Sequence, residues 1–187
     1  FSMTLPSDST KITSVSSATR TYAGVSHNNF VSSVSRNGLV YAYAYVAKTG
    51  TGFNPREQFS QVTITGPASY KRVVDLAVRG APSPRSWVIA DTNSAGKVTR
   101  YTYTAGMRLD TITYPEGNSE KYVYDAMGNV TSRYINAKPG SGEASKLIKA
   151  SYNIYACTGL TCFRPTSYTD ASGNITTITT LGGTNAG

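Results

Sequence analysis

The most informative stretch of this chain is a ten-residue segment that joins alternating tyrosines to a turn: Tyr122-Val123-Tyr124-Asp125-Ala126-Met127-Gly128-Asn129-Val130-Thr131. Tyr122 and Tyr124 are two positions apart, so in a strand they share one face of a sheet. Gly128 and Asn129 are residue types that tolerate the backbone conformation of a tight turn. The segment therefore predicts a strand, a turn and the start of a second strand.

A related segment precedes this one, and together they define an internal repeat of 21 residues. Four pairs of equivalent residues keep this spacing: Gly96 and Gly117, Tyr101 and Tyr122, Tyr103 and Tyr124, and Leu109 and Val130. A third, partial copy begins at Asp170, 45 positions after Asp125. Units of this kind bury little apolar surface alone and are stabilised by stacking against their neighbours.

The repeat predicts which residues form its core and which form its turns. The expected core residues are Tyr101, Tyr103, Leu109, Tyr122, Tyr124 and Val130. The expected turn residues are Gly96, Gly117, Asp125, Gly128, Asn129, Asp170, Gly173 and Asn174. If the copies lie side by side, their tyrosine pairs come into register at the roughly 5 Å spacing of neighbouring strands.

Residues 122–131 resemble the YD repeat of the rearrangement-hotspot (Rhs) family, which includes bacterial polymorphic toxins, shell subunits of insecticidal toxin complexes and the teneurins. The preceding copy departs from the family pattern, because Thr104 replaces the aspartate and Gly106 comes one position early. The resemblance covers about residues 90–180. It implies a long sheet coiled into a hollow shell, secreted or displayed on a bacterial surface, in which the repeats are scaffold.

The composition independently favours an all-β protein. The chain has 187 residues, 14 tyrosines, a net charge of +8 and only 15% charged residues, which argues against a helical bundle or a coiled coil. We expect stacked antiparallel hairpin repeats, forming a spiralling sheet or a β-solenoid-like shell fragment. Residues 1–20 are expected to be an extended arm or edge strand and 21–89 a β-rich region, with divergent repeats as one alternative. Residues 90–187 are the YD-like region.

Several strands of the first half can be placed by their flanking turns. The pair Asn37-Gly38 between apolar runs predicts a two-residue hairpin, followed by a strand over residues 39–47. That apolar run is half as long as a membrane-spanning helix requires. Residues 30–34, 61–65, 72–78 and 87–90 are further strand candidates. Residues 142–148 are expected to form a loop or a single helical turn.

Tyr41, Tyr43 and Tyr45 share one face of the strand over residues 39–47. They are interpreted first as a ladder packed across strands, and alternatively as a platform that binds bases or sugars. The basic residues are scattered, and only Lys71 and Arg72 are adjacent. Because phosphate recognition favours a basic stripe, nucleic acid is a disfavoured partner.

The sequence contains few candidate catalytic residues. His27 is the only histidine, and no Gly-x-Ser-x-Gly motif accompanies it. Glu116 and Glu120 flank a turn, which is a weak basis for a glycosidase pair. Cys157 and Cys162 cannot form a zinc site alone; their spacing allows a disulfide, with two thiols as the alternative. We expect no enzyme activity, no metal and no cofactor.

The sequence thus predicts a non-enzymatic structural protein. It would build a shell wall or assemble into an extracellular fibre by strand addition, with copies of itself or the rest of a larger Rhs-type shell as partners. The alternative is a cell-surface module that recognises glycans or a protein through exposed tyrosine-bearing strands. Neither reading involves insertion into a membrane.

Overall fold

The computed structural model describes residues 12–22, 25–47, 59–79, 85–153 and 158–178. These residues form a single sheet of 13 antiparallel strands, whose order in space is their order in the chain. The strands are β1 Ile12–Tyr22, β2 Val25–Arg36, β3 Leu39–Ala47, β4 Phe59–Thr65, β5 Lys71–Arg79, β6 Arg85–Thr92, β7 Val98–Tyr103, β8 Leu109–Thr113, β9 Ser119–Tyr124, β10 Val130–Asn136, β11 Lys146–Tyr152, β12 Pro165–Thr169 and β13 Ile175–Thr177.

The only helical element among the described residues is a 3₁₀ turn over Gly159–Phe163. The all-β fold of antiparallel hairpins that the sequence predicts is therefore confirmed. Contacts divide the chain into two compact units, Phe1–Thr99 and Arg100–Gly187. The division falls within β7, ten residues after the start of the YD-like region.

The predicted hairpin at Asn37-Gly38 is confirmed in the first unit. Both residues have positive φ, 51° and 77°, as a two-residue turn that matches the strand twist requires. Arg36 pairs with Leu39 across it, and β3 has the predicted bounds. Its tyrosines are half-buried on one face, whereas Ala42, Ala44 and Val46 are exposed on the other.

Two regions differ from the sequence prediction or extend it. Residues 146–148, expected in a loop or helical turn, begin strand β11, in which half-buried Leu147 and Ile148 lie between exposed Lys146 and Lys149. In the N-terminal region, residues 12–22 form β1, which pairs with β2 through partners such as Val15 and Val34. Residues 1–11 lie outside the described residues.

The sheet encloses very few side chains. Among the residues whose side chains the structure describes, only Ala90, Asn129 and Cys162 are buried, and no large side chain is fully enclosed. A two-layer domain would bury an apolar face of the sheet against another element. Here the stabilising contacts are those between neighbouring strands and within the turns.

Candidate functional site

One turn geometry occurs five times among the described residues, and we call it the repeat turn. It begins at Asn93, Thr104, Tyr114, Asp125 and Asp170. In each case the N–H of the first residue donates to the carbonyl of the fifth at 2.8 to 3.0 Å, and the N–H of the fourth donates to the carbonyl of the first at 2.9 to 3.1 Å. This pattern is a type I turn followed by a bulge residue in the left-handed conformation.

The repeat turns explain the 21-residue period. A spacing of 21 separates Thr104 from Asp125, and also Asn93 from Tyr114. One sequence repeat therefore contains two strands and two turns of the same geometry. The expected turn residues Gly96, Gly117, Gly128 and Gly173 all occupy the fourth position of a repeat turn, with φ between 73° and 96°.

The turn that begins at Thr104 departs from this rule. Its fourth residue is Met107, with φ of 63°, and the glycine that would relieve this conformation is one position earlier, at Gly106. A side chain in the left-handed region costs roughly 1–2 kcal/mol. The geometry of the turn is thus preserved where the sequence departs from the repeat.

Acidic and amide side chains cap three of the repeat turns. Asp125 Oδ1 accepts the backbone N–H of Asn129 at 2.9 Å, and its Oδ2 accepts the Asn129 amide at 2.8 Å. Asp170 and Asn174 repeat this pair of bonds, both at 2.9 Å. Asn93 Oδ1 accepts two backbone N–H groups at 3.0 Å. The aspartate and asparagine of the repeat thus act as turn caps.

These contacts also set the protonation of the two aspartates. At Asp125 the largest single effect is burial, which opposes the charged form, but the hydrogen bonds from Asn129 and the turn amides together lower its pKa. At Asp170 the hydrogen bonds from Asn174 come first and lower the pKa of that carboxyl too. Both side chains therefore remain anionic acceptors at neutral pH.

The tyrosines of the repeat lie half-buried on one face of the second unit. Tyr124 donates its hydroxyl to the Leu109 carbonyl at 2.7 Å, and its backbone pairs with Val130. Leu109 in turn pairs with Tyr103. Burial, and then the neighbouring Tyr101, raise the pKa of Tyr103. Six residues expected as the repeat core are accordingly all half-buried: Tyr101, Tyr103, Leu109, Tyr122, Tyr124 and Val130.

The expectation that tyrosine pairs of adjacent copies come into register is wrong. Strand β8 lies between β7 and β9, so Tyr101 is opposite Ile112, and Ile112 is opposite Glu120. Tyr122 is opposite Arg133 on β10. The period of two strands separates equivalent tyrosines by twice the strand spacing, about 10 Å, and places other residues between them.

A polar cluster that the sequence did not predict lies on this tyrosine-bearing face. Glu120, whose side chain is 14% exposed, forms an ion pair with Arg133 at 2.8 Å. Tyr122 donates its hydroxyl to Glu120 Oε2 at 2.7 Å, and Tyr114 donates to Oε1 at 3.1 Å. Predicting this ion pair requires the register of β9 against β10, because Arg133 lies 13 residues after Glu120 and contacts it only across these two strands.

The electrostatics of this cluster favour its charged form. Burial is the largest effect on Glu120 and opposes ionisation, yet the hydrogen bonds from Tyr122, Arg133 and Tyr114 lower its pKa overall. Burial, and then the bonds to Glu120, raise the pKa of Tyr114 and Tyr122. Two neutral phenols and one guanidinium thus hold one carboxylate, which is an arrangement that fixes side chains in place.

Arg108 joins the repeat turn at Asp125 to the tyrosine-bearing face. Its guanidinium carbon lies 5.6 Å from the centre of the Tyr124 ring, within the range of a cation–π contact. A Cβ added at Gly128 would lie only 2.7 Å from the same guanidinium. Gly128 is therefore favoured for its positive φ, and a side chain there would displace the Arg108 guanidinium.

In the first unit, Tyr45 is part of an aromatic cluster with Phe30 and Phe59. The Tyr45 ring centre lies 4.8 Å from that of Phe59 and 5.9 Å from that of Phe30, and its hydroxyl donates to the Val31 carbonyl at 2.8 Å. Tyr41 packs edge-on against Tyr70 at 5.8 Å. Tyr43 is half-buried between them. Tyr41 and Tyr45 thus engage neighbouring strands of their own sheet.

The cysteines and the carboxylates can be placed in part. Cys162 is disulfide-bonded, while Cys157 lies outside the described residues. The Cys162 carbonyl accepts a hydrogen bond from the side-chain amide of buried Asn129 at 3.0 Å.

The candidate catalytic residues Glu116 and His27 lie in different units. Glu116 is 53% exposed and lies 3.6 Å from the Lys138 amine. His27 is in β2 with its backbone opposite Arg20.

No group of three or more potential metal ligands comes together among the described residues. Nor does the described part of the chain contain a helix with the length and apolarity to cross a membrane.

In comparisons with known proteins, no family model matches the chain and no curated protein matches it significantly.

Proposed function

We propose that this chain is a structural, non-enzymatic β-repeat protein that forms part of a wall or fibre outside the cell, of the YD-repeat kind. The observation that carries the proposal is the repeat turn, which recurs with the same hydrogen bonds from Asn93 to Asp170. A hairpin unit that repeats in this way adds strands in chain order. The product of such repetition is an extended sheet.

The distribution of polar groups supports a scaffold. Three acidic side chains form hydrogen bonds that hold the sheet together. Asp125 and Asp170 accept from Asn129 and Asn174 within their turns. Glu120 accepts from Arg133 across two strands. Asp125 and Asp170 in particular satisfy the amides of their own turns. Their hydrogen-bonding capacity is directed within the sheet.

The shallow burial of the sheet supports association with further chain. Exposed apolar side chains remain on several strands, among them Val40, Val46 and Ile175, which are 53%, 51% and 71% exposed. Covering such surface is favourable by roughly 25 cal/mol per Å². The disulfide at Cys162 supports a secreted location, because such bonds persist in oxidising compartments.

Strand addition would use β13, the last strand in the order of the described sheet. The Ile178 N–H donates inward, to the Thr166 carbonyl of β12 at 2.8 Å. Because N–H groups alternate in direction along an antiparallel strand, the Thr177 N–H points to the outer edge. A second copy pairing there would accept this hydrogen bond.

Negative-stain microscopy and light scattering of purified Thr177→Pro test the proposal. Proline removes the outward donor and is tolerated at a sheet edge, so we expect wild-type polymers to be replaced by small particles. The matched control, Thr177→Val, keeps the N–H and should assemble as wild type does. A wild-type chain that stays monomeric at high concentration would refute assembly.

A further inference from the structure

Basic side chains lie in a row on the face of the second unit that is opposite its tyrosine-bearing face. Residues directly opposite each other on neighbouring strands share a face of the sheet. Arg100 on β7 is opposite Thr113, and Thr113 is opposite Ser119 on β9. Lys121 follows Ser119 by two positions and therefore lies on the same face as Arg100, while the adjacent Tyr122 lies on the other face.

The register places a third cation on this face. Val123 follows Lys121 by two positions. It is opposite Ser132 on β10, and Ser132 is opposite Lys149 on β11. We call Arg100, Lys121 and Lys149 the basic row, and all three side chains are exposed. Successive members are two strands and two residues apart, which places them on one diagonal of the sheet at a spacing of about 12 Å.

The basic row follows in part from the sequence repeat. Arg100 and Lys121 are 21 positions apart, and each directly precedes the tyrosine pair of its copy. Because one repeat contains two strands, equivalent cations fall on every second strand and on the same face. Lys149 continues the row on β11 although it is 28 positions after Lys121, since the connection between β10 and β11 is longer. The fold thus aligns cations that are scattered along the sequence.

The cations of the basic row are available to a ligand. None of their side chains has an ion pair, a hydrogen bond or a ring contact with another residue that the structure describes. The acidic residues of strands β7 to β11 are Asp110 and Glu120, and Glu120 is paired with Arg133 on the other face. Asp110 Oδ2 accepts the hydroxyls of Thr102 and Thr111 at 3.3 and 3.1 Å. Three cations therefore accompany one carboxylate, and the resulting potential attracts a polyanion.

Each cation of the basic row also lies directly opposite a side chain that carries a hydroxyl. The pairs are Arg100 with Thr113, Lys121 with Tyr134, and Lys149 with Ser132. The Cβ atoms of such pairs are about 5 Å apart. These three hydroxyls likewise have no hydrogen-bond partner among the described residues. Since a hydroxyl can both donate and accept, a cation beside a hydroxyl complements a sugar that carries a carboxylate and hydroxyl groups.

We propose that the basic row binds a linear polysaccharide that carries carboxylates. Each cation would bind one carboxylate, and the hydroxyl opposite it would bind a hydroxyl of the same sugar. Single-stranded nucleic acid would be attracted by the same charges, but sites for it stack successive bases on aromatic side chains. On this face of strands β7 to β11, Tyr134 is the one aromatic residue. The proposal is independent of assembly, since it concerns one face of one unit.

Calorimetric titration of the full chain with decagalacturonate tests this surface. Neutral maltodecaose and a ten-nucleotide oligothymidylate, at matched ionic strength, are the comparison ligands. We expect decagalacturonate to bind at least about tenfold more tightly than maltodecaose, and more tightly than the oligothymidylate. At about 0.7 counterions released for each contact, three contacts predict a slope of about −2 for the logarithm of the affinity against the logarithm of the salt concentration.

Two lysines of β11 provide a matched pair of variants. Lys149→Gln removes one cation of the basic row and should weaken the binding of decagalacturonate about fivefold. Lys146→Gln makes the same charge change in the same strand. Lys146, however, is opposite Ile135, which is opposite Glu120 on the tyrosine-bearing face. This control should change the affinity less than about twofold.

Ser132→Ala gives a second readout that charge alone would not move. It removes the hydroxyl opposite Lys149 and should weaken decagalacturonate binding about threefold, while the slope with salt concentration stays that of wild type. The proposal is overturned if decagalacturonate fails to bind at millimolar concentration, or if the oligothymidylate binds at least as tightly, which would assign the face to nucleic acid. It is equally overturned if Lys146→Gln weakens binding as much as Lys149→Gln, or if Ser132→Ala leaves the affinity unchanged.

Discussion

Glycine at position 107 should give a more stable second unit than alanine does. Met107 has φ of 63° at the position that four other repeat turns give to glycine, and a Cβ there costs roughly 1–2 kcal/mol. Glycine also gives the unfolded chain more freedom, which costs about 0.4–1 kcal/mol. Compared with Met107→Ala, which removes the same side chain but keeps the Cβ, Met107→Gly should therefore be about 0.5–1 kcal/mol more stable.

The swap Gly106→Ala with Met107→Gly sharpens this prediction. Gly106 has no positive φ, and a Cβ there would meet only the Thr104 hydroxyl at 3.8 Å. Alanine at 106 should thus add roughly 0.4–1 kcal/mol. Hydrogen exchange of the Thr104 amide, which donates to the Arg108 carbonyl, reports the local free energy of opening. A Met107→Gly variant no more stable than Met107→Ala would show that the turn lacks the left-handed residue.

Three further changes probe the cluster and the turns. Glu120→Gln should cost about 1–2 kcal/mol in urea unfolding at pH 7, against a few tenths for the exposed control Glu116→Gln. Because the pKa of Glu120 is lowered in the folded state, its ionised carboxylate adds to the free energy of unfolding above the unfolded pKa near 4.3. This addition is lost as the pH falls through the folded pKa. A loss of stability in Glu120→Gln that is the same at pH 2 as at pH 7 would contradict this. Gly128→Ala should cost about 1–2 kcal/mol and displace Arg108, and a thermal scan that matches wild type would contradict it. Asp170→Ala should remove the acceptor of the Asn174 backbone N–H and speed amide exchange at Asn174; unchanged exchange would count against the cap.

Local patterns predicted much of the fold. Asn37-Gly38 fixed a hairpin because few residue pairs tolerate its backbone, and the alternation in residues 39–47 gave both the strand and its half-buried face. The 21-residue spacing located turns through Gly117 and Gly128. These features depend on residues that are close in sequence, which is why the sequence alone was sufficient.

Contacts between strands could not be predicted in the same way. The ion pair of Glu120 and Arg133 depends on the register of β9 and β10, and the insertion of β8 between the tyrosine strands depends on which strands are neighbours. Similarly, Met107 has a positive φ, which favours glycine, because the hydrogen bonds of the surrounding hairpin impose it.

Backbone nuclear Overhauser effects across the second unit test the central claim, a sheet built from hairpins in chain order, most directly. The account predicts cross-strand contacts that link Tyr101 to Ile112, Ile112 to Glu120 and Glu120 to Ile135. Contacts that connect Tyr101 directly to Tyr122, or the short-range pattern of a helix over residues 98–136, would contradict it.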